Sequence, residues 1–153
     1  MNSSLLKGLA PLSLRLVLGF GFIYHGFPKV FSSEGHSQFQ GMLEGIGVPV
    51  PGLAAWVIGG IESLGAIALV LGAFVTIASL LLGVSMVGSL LTVHLPQGFS
   101  FINITGMTEA GPTFGMPGYA VNLLYLAGLA TLILGGAGAF SVDAKRAGNT
   151  TDF

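Results

Sequence analysis

The sequence predicts an all-α membrane protein: a four-helix transmembrane bundle with a short interfacial helix between the first two spans. Three observations carry this expectation. Of the 153 residues, 52% are hydrophobic and only 7% are charged, whereas soluble domains carry roughly a quarter charged residues. Four apolar stretches each reach the roughly 20 residues that a helix needs to cross a hydrocarbon core about 30 Å thick. None of them alternates polar and apolar residues like a barrel strand, and a lone segment in lipid can pair its own backbone groups only as a helix.

The expected spans run over about residues 9–31, 52–72, 74–94 and 118–140, within a single domain over 1–153. Lys7 could open a cleaved leader, but the apolar run continues to Tyr24, His25 and Lys29 without a small-x-small cleavage site. It reads as a retained first span. Residues 32–51 hold Phe39, Met42, Leu43 and Ile46 at helical spacing, with Gln38, Gln40 and Glu44 between them. That pattern predicts a short amphipathic helix in the interface. Pro51 suits the first turn of the second span. The second and third spans meet in a tight hairpin at 72–76, and residues 95–117, which contain Glu109, read as a loop of undefined shape.

Lys7 precedes the first span, and Lys145 and Arg146 follow the fourth, while the two long connections carry no basic residue of their own. By the positive-inside rule both termini are expected to be cytoplasmic. Two rows of small residues, Ala55–Gly59–Ser63 and Ala127–Thr131–Gly135–Ala139, predict close helix packing.

The net charge of −1 excludes a basic footprint for nucleic acid. With no cysteine, the chain has no thiol redox chemistry and no thiolate metal site. A redox role would therefore require a bound cofactor or a redox protein partner.

Arg15, His25, Lys29, Glu62 and His94 stand within or at the ends of the spans. Charges there cost about 2.5–3.5 kcal/mol near the bilayer centre, so they usually face a packed interior and find partners. Around the first helix, Lys29 falls about 40° and His25 about 80° from Arg15, so the three share a face. His25, Lys29 and His94 are expected at similar depths, with Glu62 just beneath them and Arg15 below that. One reading is that Glu62 neutralises Arg15 or Lys29 in a buried ion pair. Another is a site: His25, Lys29, Glu62 and His94 would hydrogen-bond a quinone carbonyl and exchange its protons. A haem would demand facing imidazoles from His25 and His94 and is not expected, nor is a metal. His36, in the connection after the first span, is expected to be solvated. No residue is assigned a catalytic step.

Arg15-Leu16, His25-Gly26-x-x-Lys29, Pro49-Val-Pro51, Glu62, Leu71-Gly72, His94 and Gly136-x-Gly138-x-x-Ser141-x-Asp143 together resemble the DoxX family over roughly residues 10–143. The resemblance implies a four-helix bacterial or archaeal inner-membrane protein linked to quinone reduction in thiosulfate oxidation and to membrane oxidoreductase complexes. It also suggests a structural ion pair between Arg15 and Asp143. The functional expectation is a quinone-binding oxidoreductase subunit with a redox partner or as a homo-oligomer. The alternatives are a non-catalytic assembly subunit or a small proton-coupled transporter.

Overall fold

The computed structural model describes residues 3–149, with side chains over 8–148. The Lys7 side chain, which contributed to the expected orientation, lies outside that range. Helix α1 (Ser3–Phe31) is followed by α2 (Ser33–Gly45), α3 (Pro51–Leu71) and α4 (Val75–Ser89). Helix α4 continues through a π turn (Leu90–His94) and a 3-10 turn (Leu95–Gln97). A hairpin of β1 (Ile104–Thr108) and β2 (Gly111–Phe114) comes next, then α5 (Ala120–Gly135) and α6 (Val142–Asn149).

Among the described residues, three segments are long and apolar enough to cross a membrane: Gly8–Phe31, Pro51–Leu71 and Val75–Gln97. The fourth expected stretch, 118–140, is shorter as a helix. Helix α5 has 16 residues, about 24 Å of rise. The reason is local: Gly136 and Gly138 adopt φ of 76° and 77°, a left-handed backbone that ends a helix and that glycine adopts without steric cost.

Helix α1 lies along α3, α3 packs on α4, α4 on α5, and α5 closes more lightly on α1. The buried core sits between them and includes Leu18, Phe22, Leu69, Leu82, Leu129 and Leu132. The α1–α3 contact is close because glycines remove side chains from it. A Cβ at Gly26 would stand 2.8 Å from the Glu62 Cβ, and one at Gly59 would stand 3.0 Å from the Lys29 Cβ. Ala55, Gly59 and Ser63 are buried in this contact, as their spacing predicts. The second small-residue row is a correction. Ala127, Thr131, Gly135 and Ala139 are exposed, and α5 instead buries Asn122, Gly128, Leu129 and Leu132. Helix α5 is apolar on every side, so small-residue spacing alone does not select its packed face.

Helix α2 begins at Ser32, whose Oγ accepts the Gly35 N–H at 3.1 Å, an N-cap that satisfies one of the free donors of the first turn. It packs on both α1 and α3 and buries Leu43. The loop expected over 95–117 contains the antiparallel hairpin, which the sequence reading did not anticipate.

The α3–α4 turn is tight. Gly72 has φ 69° and Phe74 φ 51°. For a side-chain-bearing residue such as Phe74 the left-handed region costs roughly 1–2 kcal/mol. Asp143 offsets this from the start of α6: its carboxylate accepts the Phe74 N–H at 2.8 Å and the Val75 N–H at 2.9 Å. It therefore caps α4 from another part of the chain. Asp143→Ala is expected to lower stability by about 1–2 kcal/mol, the usual loss of a helix cap. Thermal unfolding in detergent checks this, and Asp143→Asn, which keeps one acceptor, should fall between.

Candidate functional site

The site is built where α1, α3 and α4 meet. Lys29 is in the last turn of α1, and Gly26 and Gly59 bring α1 and α3 close enough for its ammonium to reach across. Lys29 Nζ stands 2.5 Å from Glu62 Oε2. Glu62 is only 7% exposed. Its second oxygen, Oε1, accepts the Ser85 hydroxyl of α4 at 2.9 Å. One carboxylate thus joins three helices through two charge-assisted hydrogen bonds, which are stronger than neutral ones.

Helix α2 covers the other side of Lys29. The Phe39 ring lies under the ammonium, 4.1 Å from centroid to Nζ, within cation–π range. His36 Nδ1 is 2.8 Å from the Lys29 carbonyl, and its ring stacks on Trp56 with centroids 4.4 Å apart. The expectation that His36 is merely solvated is therefore corrected: it pins α2 to the end of α1 and to α3.

Of the four residues expected to cluster, Lys29 and Glu62 are bonded. His25 lies within electrostatic range of Lys29, Glu62 and His94. It is exposed on the flank of α1, edge-on to Tyr24 at 5.2 Å. His94 sits in the π turn and is tied through Nδ1 to the Pro117 carbonyl at 2.8 Å, so it also holds the end of the hairpin loop. Such π turns are frequent at functional sites.

Ser85 and Phe39 were not singled out from sequence. A signal for Ser85 existed: it lies twelve residues after Ala73 and Glu62 eleven before it, so an antiparallel hairpin of helices places them opposite each other. Buried Asn122 of α5 contacts Met86 Sδ of α4 at 3.1 Å.

Arg15 lies at the opposite end of the helices and is fully buried. Its Nη2 donates to the Phe140 carbonyl at 2.6 Å, and Nη1 makes a long contact of 3.5 Å with the Leu69 carbonyl. The hydrogen bonds that Arg15 and Asp143 make among the described residues go to backbone groups. The Asp143 carboxylate is engaged by the Phe74 and Val75 N–H groups at the start of α4, and the guanidinium by one carbonyl of α3 and one of the α5–α6 connection. Both residues secure the α3–α4 turn, and their charges attract each other across it.

Two apolar grooves flank the helices. One, of about 370 Å³, runs between α4 and α5 past Gly83 and Ala130. The other, of about 480 Å³, runs between α1 and α5 past Ser13 and Gly135. Neither is lined by Lys29 or Glu62.

The model of the DoxX family matches residues 10–95. The chain belongs to the DoxX family. Over 99 residues it is 32% identical to a Bacillus subtilis (strain 168) protein named "Putative oxidoreductase CatD", covering 65% of this chain and 69% of that one. No solved structure matches. The DoxX match includes Arg15, His25, Lys29, Glu62, Ser85 and His94. It ends before α5, so the resemblance of residues 136–143 lies beyond it.

Proposed function

We propose that this DoxX chain is a membrane subunit of an oxidoreductase system and handles quinone or quinol at His25, Lys29, Glu62 and His94. The observation that carries this reading is the Lys29–Glu62–Ser85 chain of hydrogen bonds with His25 exposed beside it. A proton-bearing group reachable from lipid thus adjoins a buried acid–base pair. When bound, a quinone supplies coupled electron and proton transfer. His25 would donate to a carbonyl oxygen from its exposed ring. Lys29 Nζ and Glu62 would hold or take up a proton deeper in, and Ser85 keeps the carboxylate turned towards Lys29. The flanking grooves suit an isoprenoid tail, being apolar and open to the bilayer. Without cysteine, the chain would receive electrons through a partner redox protein, or through that protein docked on a homo-oligomer.

The name of the Bacillus relative supports the oxidoreductase link. The cycle of packing α1–α3–α4–α5 supports a four-span bundle, in which α5 crosses by local thinning of the bilayer. Helix α2 would then lie in the interface and both termini on the cytoplasmic side of a plasma membrane. The assembly-subunit reading is favoured by one fact, the closed Lys29–Glu62 pair, which by itself fastens α1 to α3.

Binding of a short-chain quinone to the purified chain in nanodiscs decides between them. His25 is exposed, so His25→Ala should leave thermal stability unchanged. It should weaken binding about tenfold, the loss of one hydrogen bond worth about 1.4 kcal/mol. Absence of binding, or equal binding by His25→Ala, would remove the quinone reading and leave assembly.

A further inference from the structure

We infer that the hairpin of residues 104–114 is a membrane-surface element whose apolar face rests in the headgroup–acyl boundary of uncharged lipid. The sequence pattern alone hides this face. Ile104 and Met107 are three residues apart and would point to opposite sides of a regular strand. The structure has a β-bulge between Ile104 and Gly106, and the register pairs Ile104 with Phe114 and Met107 with Pro112. Paired residues share a face, and Phe114 and Pro112 are two apart. The extra residue of the bulge therefore brings Ile104, Met107, Pro112 and Phe114 to one side. Gly106, Thr108, Gly111 and Thr113 occupy the other.

The apolar side is uncovered: Ile104, Met107 and Phe114 are 57%, 78% and 66% exposed. Soluble surfaces rarely keep such a patch bare. Its position indicates what covers it. The hairpin leaves α4 and returns to α5 at the end of the helices that carries Lys29. Its base is fixed there: Asn103 Nδ2 donates to the Met116 carbonyl at 2.9 Å and to Gln97 Oε1 at 3.2 Å, and the Gly118 N–H donates to the Ser100 carbonyl at 2.9 Å. Phe99, Phe101 and Met116 beside the base are exposed as well, as are Leu95 at the end of α4 and Leu124 at the start of α5. The apolar surface is thus continuous from the membrane-facing helices onto the hairpin. Aromatic side chains favour this depth. Residues 95–117 contain one charge, Glu109 at the tip, and no Lys or Arg, so the attraction is apolar and does not select anionic lipid.

The natural absence of cysteine makes the test direct. Met107→Cys and Thr113→Cys, both at exposed positions, are labelled with an environment-sensitive fluorophore in the full chain in phosphatidylcholine nanodiscs. The Met107 label should be quenched by lipid nitroxides placed near the headgroup. Aqueous iodide should quench it about tenfold less than the Thr113 label, as burial of one large apolar side chain implies. The pattern should be the same with one chain per disc and with added anionic lipid. Equal iodide quenching at both positions overturns the inference. So does protection of Met107 without lipid quenching, protection that needs two chains per disc, or protection that needs anionic lipid.

Discussion

Replacing Glu62 with alanine is expected to cost about 3 kcal/mol of stability, at the lower end of the 3–5 kcal/mol lost when one partner of a buried ion pair is removed. The lower end applies because the Lys29 side chain keeps 19% of its surface exposed and can turn partly towards the interface. Two further effects add to the loss. Ser85 loses its acceptor, and α1 loses the bond that fixes its last turn on α3. In thermal unfolding this corresponds to a fall of about 6–12 °C for a chain of this length. The paired variant Lys29→Met/Glu62→Leu removes both charges at similar volume and should recover most of the loss, since apolar replacements of buried pairs are often neutral. The comparison also separates the two functional readings. If the pair only fastens helices, the double variant is both stable and competent in its complex. If it moves protons for quinone, the double variant is stable and does not support turnover. A Glu62→Ala protein that melts within about 2 °C of the parent would show that the pair carries no structural load.

The first three apolar helices were legible in the sequence because their cause is local. A long run of apolar residues has one solution in lipid, and for α3 proline at the first turn and glycine after the last mark its ends. The expected 52–72 is Pro51–Leu71, and the helices turn back at Gly72 as the sequence predicts. The Lys29–Glu62 contact was legible as a possibility, because charges in spans seek partners. What the sequence hid depended on long-range contacts or on register. Asp143 acts on Phe74 and Val75, 69 and 68 residues away, and no local pattern distinguishes a remote cap from an ion pair. Ser85 is an ordinary serine until the α3–α4 turn places it opposite Glu62. The 104–114 hairpin lacks alternation because a bulge interrupts it, so a period-2 search passes over it. His36 looks solvated in the sequence because its neighbours there are polar, whereas its partner Trp56 lies on another helix.

Gly72→Ala should be as damaging as loss of Glu62, although it adds a single methyl group. The backbone at Gly72 is left-handed, φ 69°, which costs a residue with a Cβ roughly 1–2 kcal/mol. The new Cβ would also overlap Arg15 Nη1 and stand 2.6 Å from the Ser141 Cβ. Overpacking of this kind adds about 1–3 kcal/mol. The guanidinium cannot yield cheaply. It is fully buried, its Nε already has no hydrogen-bond partner, and leaving the Phe140 carbonyl would strand both groups. A total of about 2–5 kcal/mol follows from these two contributions. The clash and the conformational cost can be separated. In an Arg15→Leu background the Cβ no longer meets Nη1, so Gly72→Ala should cost only the backbone component and the contact with the Ser141 Cβ, a coupling readable as non-additivity in a double-mutant cycle. Equal costs in both backgrounds would show that Arg15 and Gly72 act independently. Coupling would show that one guanidinium holds the α3–α4 turn and the α5–α6 connection together, with Asp143 closing the turn from its other side.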